Sequence, residues 1–401
     1  MSAPFDWRTL EDEIRLLLGA AKHDRQELLD SLRAYSARVV SEARRLDAQS
    51  PAVKSHIPDW LFRPVFICGH HRSGTTLLQS LLDGHPDLAV LPSEGTYLSS
   101  FSHVASQDPP TSNVDRFMSA WIERFISPNR EPHFKLGLST EARNPSLQLC
   151  LDMLAWQRAL LGLERDLAKF RLLLALVAAY AEQLSLPRGP TQWVEKTPLN
   201  ESNVSHYLPF RSARFIQMIR EPTATLASLR AAYSGSRERF PVLKHVRAIA
   251  NSLRLARLHE RGYRDRYLVV RYEDLTAATA GEMRRICEFL GISDHPTLLI
   301  PTSGGQPVSS NSSFVRSSPG VISPPPESMT SATPHDEELV GVLCGREAGE
   351  RNYPVRALRG RCRRVTPGSI SRAIVITRYS AHQLAEVMRR FGRDRRPKSG
   401  H

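Results

Sequence analysis

The stretch from Val65 to Leu82 constrains the fold more than any other part of the chain. Val65-Phe66-Ile67-Cys68 is a short apolar run between Pro64 and Gly69, the pattern of a strand buried on both faces. Gly69 to Thr76 is a polar, glycine-containing turn. Leu77, Leu78, Leu81 and Leu82 then recur at helical spacing and mark a buried stripe. The unit is strand, loop, helix. Further strand signals lie at Leu88–Leu91, Gln192–Val194, Arg214–Ile219 and Tyr267–Val270, with helical stretches between them. Strands alternating with helices predict an α/β fold of three layers, a mostly parallel central sheet flanked by helices. Ligands gather at the carboxyl ends of the strands in such sheets. Three charged motifs fall there: Glu195-Lys196-Thr197-Pro198, Arg220-Glu221-Pro222 and Arg271-Tyr272-Glu273-Asp274-Leu275.

The rest of the chain divides by texture. Residues 1–60 read as a polar helical extension. Thr9-x-x-Asp12 is placed as an N-terminal cap, and Ile14, Leu17, Leu18, Leu28, Leu29, Leu32 and Tyr35 continue the pattern. Residues 61–354 read as the α/β domain. Within it, Leu172–Tyr180 is apolar enough for a core helix, and Pro222 suits the first position of a helix. Leu243–Arg261 is a basic helix, and Gly291 is a stop for the helix that follows Tyr272. Residues 301–335, rich in Ser, Pro and Gly, read as a long loop.

Residues 355–401 form a basic tail. The formal net charge is +13, and these residues hold thirteen Lys or Arg against two acidic residues, which is +11 of it. The charge therefore says little about the ligand of the main domain. Ser380 caps a predicted amphipathic helix carrying Leu384, Val387, Met388 and Phe391. Packing of that helix on the domain ranks first and peripheral membrane contact second, and nucleic acid is not expected. No run of eighteen apolar residues occurs, and the acidic start MSAPFDWRTLEDE lacks the form of a secretory leader. The five cysteines lack paired spacing, so no disulfide framework or metal site is expected, and a cytoplasmic location is.

Chemistry concentrates at Gly69-His70-His71-Arg72-Ser73-Gly74-Thr75-Thr76. The GxxxxG frame between a strand and a helix suits a phosphate, held by backbone N–H groups and the helix N-terminus. A nucleoside triphosphate site of this kind has Lys after the second Gly. Thr75 stands there, and the cation is Arg72 instead. The expected fold is P-loop-like, with a site suited to a phosphate and no triphosphate–metal assembly.

HHRSGTT after a strand, Arg220 with Ser228 eight residues later, and RYEDL further on together resemble the superfamily of sulfotransferases that use 3′-phosphoadenosine 5′-phosphosulfate (PAPS). The resemblance is nearest to a bacterial branch similar to tyrosylprotein and carbohydrate sulfotransferases, and it covers roughly residues 62–300. It implies transfer of a sulfuryl group from PAPS to a hydroxyl-bearing acceptor, with release of adenosine 3′,5′-bisphosphate. It implies that Arg72, Ser73, Gly74, Thr75 and Thr76 hold the 5′-phosphate and that Arg220 and Ser228 hold the 3′-phosphate. Tyr272 matches a nucleotide-contacting tyrosine, and a core tyrosine is the competing reading. The resemblance implies Arg72 and Lys196 as catalytic cations and Glu94 as the base; His70, His71 and His85 are rival bases, with a structural role read first for His85 before Pro86. Glu273 and Asp274 are expected to cap the helix that follows them. Two departures stand out. Leu77 replaces an aromatic that stacks on adenine, and Ser312 and Arg316 match only loosely a late segment that adds 3′-phosphate contacts.

Two other readings compete with this one. A P-loop kinase or NTPase lacks its lysine here, and no acidic strand-end pair for Mg²⁺ stands out. A degenerate nucleotide-binding adaptor with a basic tail conflicts with the intact Arg72, Arg220, Ser228 and Glu94. Neither the acceptor nor the oligomeric state is specified by the sequence.

Overall fold

The computed structural model describes residues 7–20, 25–106, 108–128, 131–184, 186–233, 240–309, 318–322 and 332–354. Ser312, Arg316 and the predicted tail helix at Ser380 lie outside the described residues.

Five strands form one sheet: β1 (Pro64–Gly69), β2 (Leu88–Glu94), β3 (Gln192–Lys196), β4 (Arg214–Ile219) and β5 (Tyr267–Arg271). Their order is β2-β3-β1-β4-β5, and every pairing is parallel. β1 is central, and all six of its residues are buried. Its side chains alternate between two cores, Phe66 and Cys68 on one face and Val65 and Ile67 on the other. That is why the run has no polar alternation. Helices α3 (Thr75–Leu82) and α9 (Thr279–Leu290) supply Leu78, Leu81, Ile286 and Leu290 to the core holding Val65 and Ile67. On the Phe66 face lie α6 (Arg171–Gln183) and α8 (Val242–Gly262). Arg171 to Ala181 are all buried, as expected of a helix apolar on every side. The result is the three-layer α/β sandwich, with a fully parallel sheet.

The N-terminal helices α1 (Trp7–Gly19) and α2 (Arg25–Gln49) join the Phe66-side core. α2 packs on α4 (Thr111–Phe125) and α5 (Pro145–Ala159) through a stripe of Leu28, Leu32, Tyr35, Val39 and Ala43. The Thr9-x-x-Asp12 cap is corrected. The helix already includes Trp7, and Asp12 pairs with Arg15 along the helix instead.

Pro222 opens α7 (Pro222–Ala232), and Gly291 ends α9 in the left-handed conformation with φ 65. The long loop after residue 300 is not featureless. β6 (Thr302–Ser303) and β7 (Gln306–Pro307) form a hairpin there. It is pinned by the buried carboxylate of Asp83, which accepts from Thr302 Oγ1 at 2.7 Å and from Gly305 N at 2.9 Å. A capping box at Thr333 and Asp336 then starts α10 (Pro334–Gly349).

One irregularity positions the site. β2 and β3 run in register to Val90 opposite Val194, and then Glu94 lies opposite Lys196. The extra β2 residues include Pro92, which has no N–H for the ladder. This bulge re-aims the end of β2 towards the end of β3.

Candidate active site

The loop after β1 is shaped by residues that tolerate little else. Gly69 has φ +131, and a Cβ there would sit 2.2 Å from the Met218 carbonyl oxygen of β4. Gly74 has φ +96 and caps α3, and a Cβ would sit 2.4 Å from the Tyr272 ring. Arg72, between them, has φ 69, which is unusual for a residue with a side chain. Ser73 is buried; its N–H and hydroxyl both donate to the His70 carbonyl oxygen, at 3.1 and 2.6 Å. The expected phosphate contact of Ser73 is thus taken up by bracing the loop. Thr75 and Thr76 begin α3, whose first intrahelical bond runs from Leu78 N to Gly74 O. The N–H groups of that first turn have no intrahelical acceptor and suit an anion.

Residues far apart in sequence meet at this loop. Arg72 Nε donates to Ser228 Oγ at 3.0 Å, and Arg220 Nη1 donates to the Arg72 carbonyl oxygen at 3.2 Å. The Arg220 guanidinium lies 4.7 Å from the centre of the Tyr272 ring. Tyr272 therefore fits both of its readings, since it packs in the α3-side core and also walls the loop. Burial, and then the charge of Arg220, push Arg72 below its ordinary value. Two guanidinium groups held this close form a seat for anions. Among the described residues no carboxylate pairs with Arg220.

Glu94 and Lys196 meet across the bulge. Lys196 Nζ donates to Glu94 Oε1 at 2.8 Å, with the lysine side chain 4% exposed and the glutamate 45% exposed. Both line a cleft of about 380 Å³ together with His71, Arg72, Thr75 and Thr76. The cleft continues past Lys135, Asp83 and Thr302. His71 opens onto it, and burial holds its imidazole below the usual value. His70 is buried, bonds the His71 carbonyl oxygen through Nδ1 at 2.9 Å, and is pushed down to about 4 by burial. His85 is fully buried between Ser293 O and Asp87 N, as its structural reading requires.

The expected capping role of Glu273 and Asp274 is corrected. Glu273 accepts from Glu221 N at 2.8 Å and from the Tyr353 hydroxyl at 3.1 Å, while Asp274 pairs with Arg271 at 3.2 Å. The helix start at Tyr272 has no side-chain cap, because Glu273 is used by the backbone beyond β4 and Asp274 by Arg271 three residues back. Sequence reasoning missed a cap elsewhere, Glu221, which accepts from Thr223 N and Ala224 N at the start of α7. An acidic residue just before a first-turn proline was the available signal. It also missed Arg124, which donates to the carbonyl oxygens of Glu94 and Gly95 and to Thr96 Oγ1. Nothing local in the sequence marks that arginine.

A family model described as the sulfotransferase family matches residues 64–296. Several solved structures are similar, three of them as follows. A sulfotransferase domain from the Synechococcus PCC 7002 olefin synthase is 23% identical over 62% of this chain and 79% of its own, with a TM-score of 0.34. A sulfotransferase domain from the curacin biosynthetic pathway is 18% identical over 75% of this chain and 100% of its own, with a TM-score of 0.42. A sulfotransferase from Mycobacterium avium is 17% identical over 74% of this chain and 81% of its own, with a TM-score of 0.38. No curated protein matches the chain.

Proposed function

The chain belongs to the sulfotransferase family, and we propose that it takes the sulfuryl group from PAPS and passes it to a hydroxyl of an acceptor, releasing adenosine 3′,5′-bisphosphate. One observation carries the choice of donor. Arg72, Ser228, Arg220 and Tyr272 are joined by direct contacts around a glycine loop, which sets a guanidinium seat for one anion beside the loop N–H groups that suit another. A donor with phosphates on both sides of a ribose fits that pair. The loop backbone with Thr75 and Thr76 would hold the 5′-phosphate, and Arg220 with Ser228 the 3′-phosphate.

The donor supplies an activated S–O bond, and the chain's own groups do the rest. Arg72 and Lys196 offset charge that gathers on the leaving phosphate oxygen. Glu94 takes the acceptor proton, and its pairing with Lys196 fixes the direction of its carboxylate. The cleft by Lys135 and Thr302 gives the acceptor room. We assign this chemistry to residues 61–354, with 1–60 as a helical addition and 355–401 as a basic tail. A cytoplasmic site of action is part of the proposal; no helix among the described residues is long and apolar enough to cross a membrane.

The test is nucleotide selectivity. Adenosine 3′,5′-bisphosphate at about 100 times its dissociation constant should add about 2.7 kcal/mol of stability. ATP with Mg²⁺ should add far less. An equal or larger thermal shift from Mg-ATP would favour the kinase reading. Turnover is read by incubating the protein with PAPS and an acceptor panel, with mass spectrometry for the gain of one SO₃.

A further inference from the structure

Glu195 is a buried acid that the transfer chemistry leaves unused. It precedes Lys196 on β3 and is 2% exposed. Its Oε1 accepts the Thr197 hydroxyl, and its Oε2 has no hydrogen-bond partner. Thr197 Oγ1 in turn accepts from Thr96 N at 2.7 Å. The turn Glu94-Gly95-Thr96 lies directly on this carboxyl, since a Cβ on Gly95 would sit 2.0 Å from Glu195 Oε1. Gly95 N also donates to the Lys196 carbonyl oxygen at 3.1 Å. Thr96 has φ 47, a costly conformation for a β-branched residue.

A purely structural role does not account for this arrangement. A buried carboxyl with one unsatisfied oxygen lowers stability, and packing alone would be served better by a neutral or apolar residue. Instead, the costly acid, a strained threonine and Arg124 converge on one turn, the turn that carries Glu94.

We infer that Glu195 is a positioning residue of the transfer site: through the Thr197 hydroxyl, its carboxyl fixes the Glu94–Thr96 turn and so holds Glu94 against Lys196. The inference rests on the proposed roles of Glu94 and Lys196. Burial pushes the Glu195 carboxyl up to about 7, and the Thr197 hydroxyl bond and the Lys196 charge oppose that rise. The charged and titratable groups facing it are Lys196, Glu94, Arg124, Tyr207 and Cys68.

The experiment uses the full chain and three variants, Thr197→Val, Thr197→Ser and Glu195→Gln. Hydrogen exchange is followed in a peptide covering residues 94–98, with one from 172–180 as the internal reference. Thr197→Val, which loses the hydroxyl, should speed exchange in 94–98 roughly 3- to 10-fold while leaving 172–180 unchanged. Thr197→Ser should restore protection. Exchange in Glu195→Gln relative to wild type should fall from pH 6 to pH 8, because only wild type gains a buried charge there, which favours opening of the turn. PAPS turnover, read as bisphosphate release, should fall roughly 10- to 100-fold in Thr197→Val with bisphosphate affinity within about 3-fold. Unchanged exchange in 94–98 for both Thr197→Val and Glu195→Gln would overturn the inference. So would turnover that survives Thr197→Val. If wild type binds no bisphosphate and turns over no PAPS, the donor assignment fails, and the exchange result still decides whether Glu195 holds the turn.

Discussion

Glu195→Gln should make the protein relatively more stable as the pH rises, even though it removes an acid from beside Lys196. The sign follows from proton linkage. Burial, the leading cause, pushes the carboxyl from its ordinary value of 4.5 up to about 7 in the fold. Between those values the folded chain holds a proton that the unfolded chain has lost. Wild-type stability therefore falls as pH rises through that window, and glutamine, which does not titrate, escapes the loss. The span from 4.5 to about 7 corresponds to roughly 3 kcal/mol at about 1.4 kcal/mol per pH unit. Glutamine brings its own cost, a buried NH₂ where Glu195 Oε2 has no partner, of about 1–3 kcal/mol at every pH. The informative quantity is therefore the mutant-minus-wild-type difference as a function of pH, in which the titrations of all other groups largely cancel. Melting temperatures from pH 4 to pH 8 should show that difference rising by about 6 °C, taking roughly 2 °C per kcal/mol for a chain of this size. A difference that stays flat, or that falls towards pH 8, would show that Glu195 does not carry a raised pKa and that its burial is relieved in a way the structure does not display.

Arg220→Ala should weaken adenosine 3′,5′-bisphosphate binding by roughly 1.5–3 kcal/mol, measured by calorimetry; unaltered affinity would remove Arg220 from the 3′-phosphate seat. Glu94→Gln should bind the bisphosphate nearly normally while turnover drops by roughly 10²–10⁴. If its turnover stays at wild type with a non-acidic hydroxyl acceptor, the base lies elsewhere and His71 is next in line. Deleting residues 366–401 should leave bisphosphate affinity within a few-fold of wild type. The full chain, but not the truncation, should pellet with anionic liposomes at low salt, each Lys or Arg near the surface adding about 1 kcal/mol; full-length protein that ignores such liposomes would sink the anchor idea.

The parts of the molecule that were legible in the sequence are those set by local chemistry. β4 runs over Arg214–Ile219 as its apolar run predicts, and α3 begins at Thr75, just before its leucine stripe. Lys196, Arg220 and Tyr272 fall near the ends of their strands because an apolar run stops where polar and charged residues begin. The parts that were not legible depend on where distant segments meet. The pairing of Glu94 with Lys196 needs the bulge at Pro92, whose register only the partner strand reveals. Arg124 reaches the Glu94 carbonyl oxygen from α4, its guanidinium 4.9 Å from the Phe101 ring and 5.1 Å from the Trp121 ring. Thr9 failed as a cap because Ser/Thr-x-x-acid recurs inside helices, where the acid finds a partner one turn on, as Asp12 does with Arg15. Asp274 failed as a cap in the same way, paired with Arg271 three residues back, and Glu273 failed because Glu221 N, from another strand end, offered a partner that no local pattern shows.

The distribution of backbone strain follows the distribution of chemistry. Four non-glycine residues among those described have positive φ: Arg72, Thr96, Leu199 and Asn352. Asn352 follows a helix end, where asparagine tolerates that conformation. The other three each follow one of the three adjacent strands β1, β2 and β3, just beyond its carboxyl end. None is the residue a turn would choose for comfort, and each is held by a specific bond. Arg72 is held by Ser228 and Arg220, Thr96 by Thr197 and Arg124, and Leu199 by its N–H bond to Gly69 O at 2.8 Å. Strain of about 1–3 kcal/mol per residue persists only where the surroundings over-determine the conformation. Three strained turns side by side, tied to one another and to the buried acid at Glu195, make the carboxyl edge of β2, β3 and β1 the least relaxed part of the sheet. That edge is where Arg72, Glu94 and Lys196 must be held to within fractions of an ångström if one is to meet a phosphate, one a proton and one a leaving oxygen.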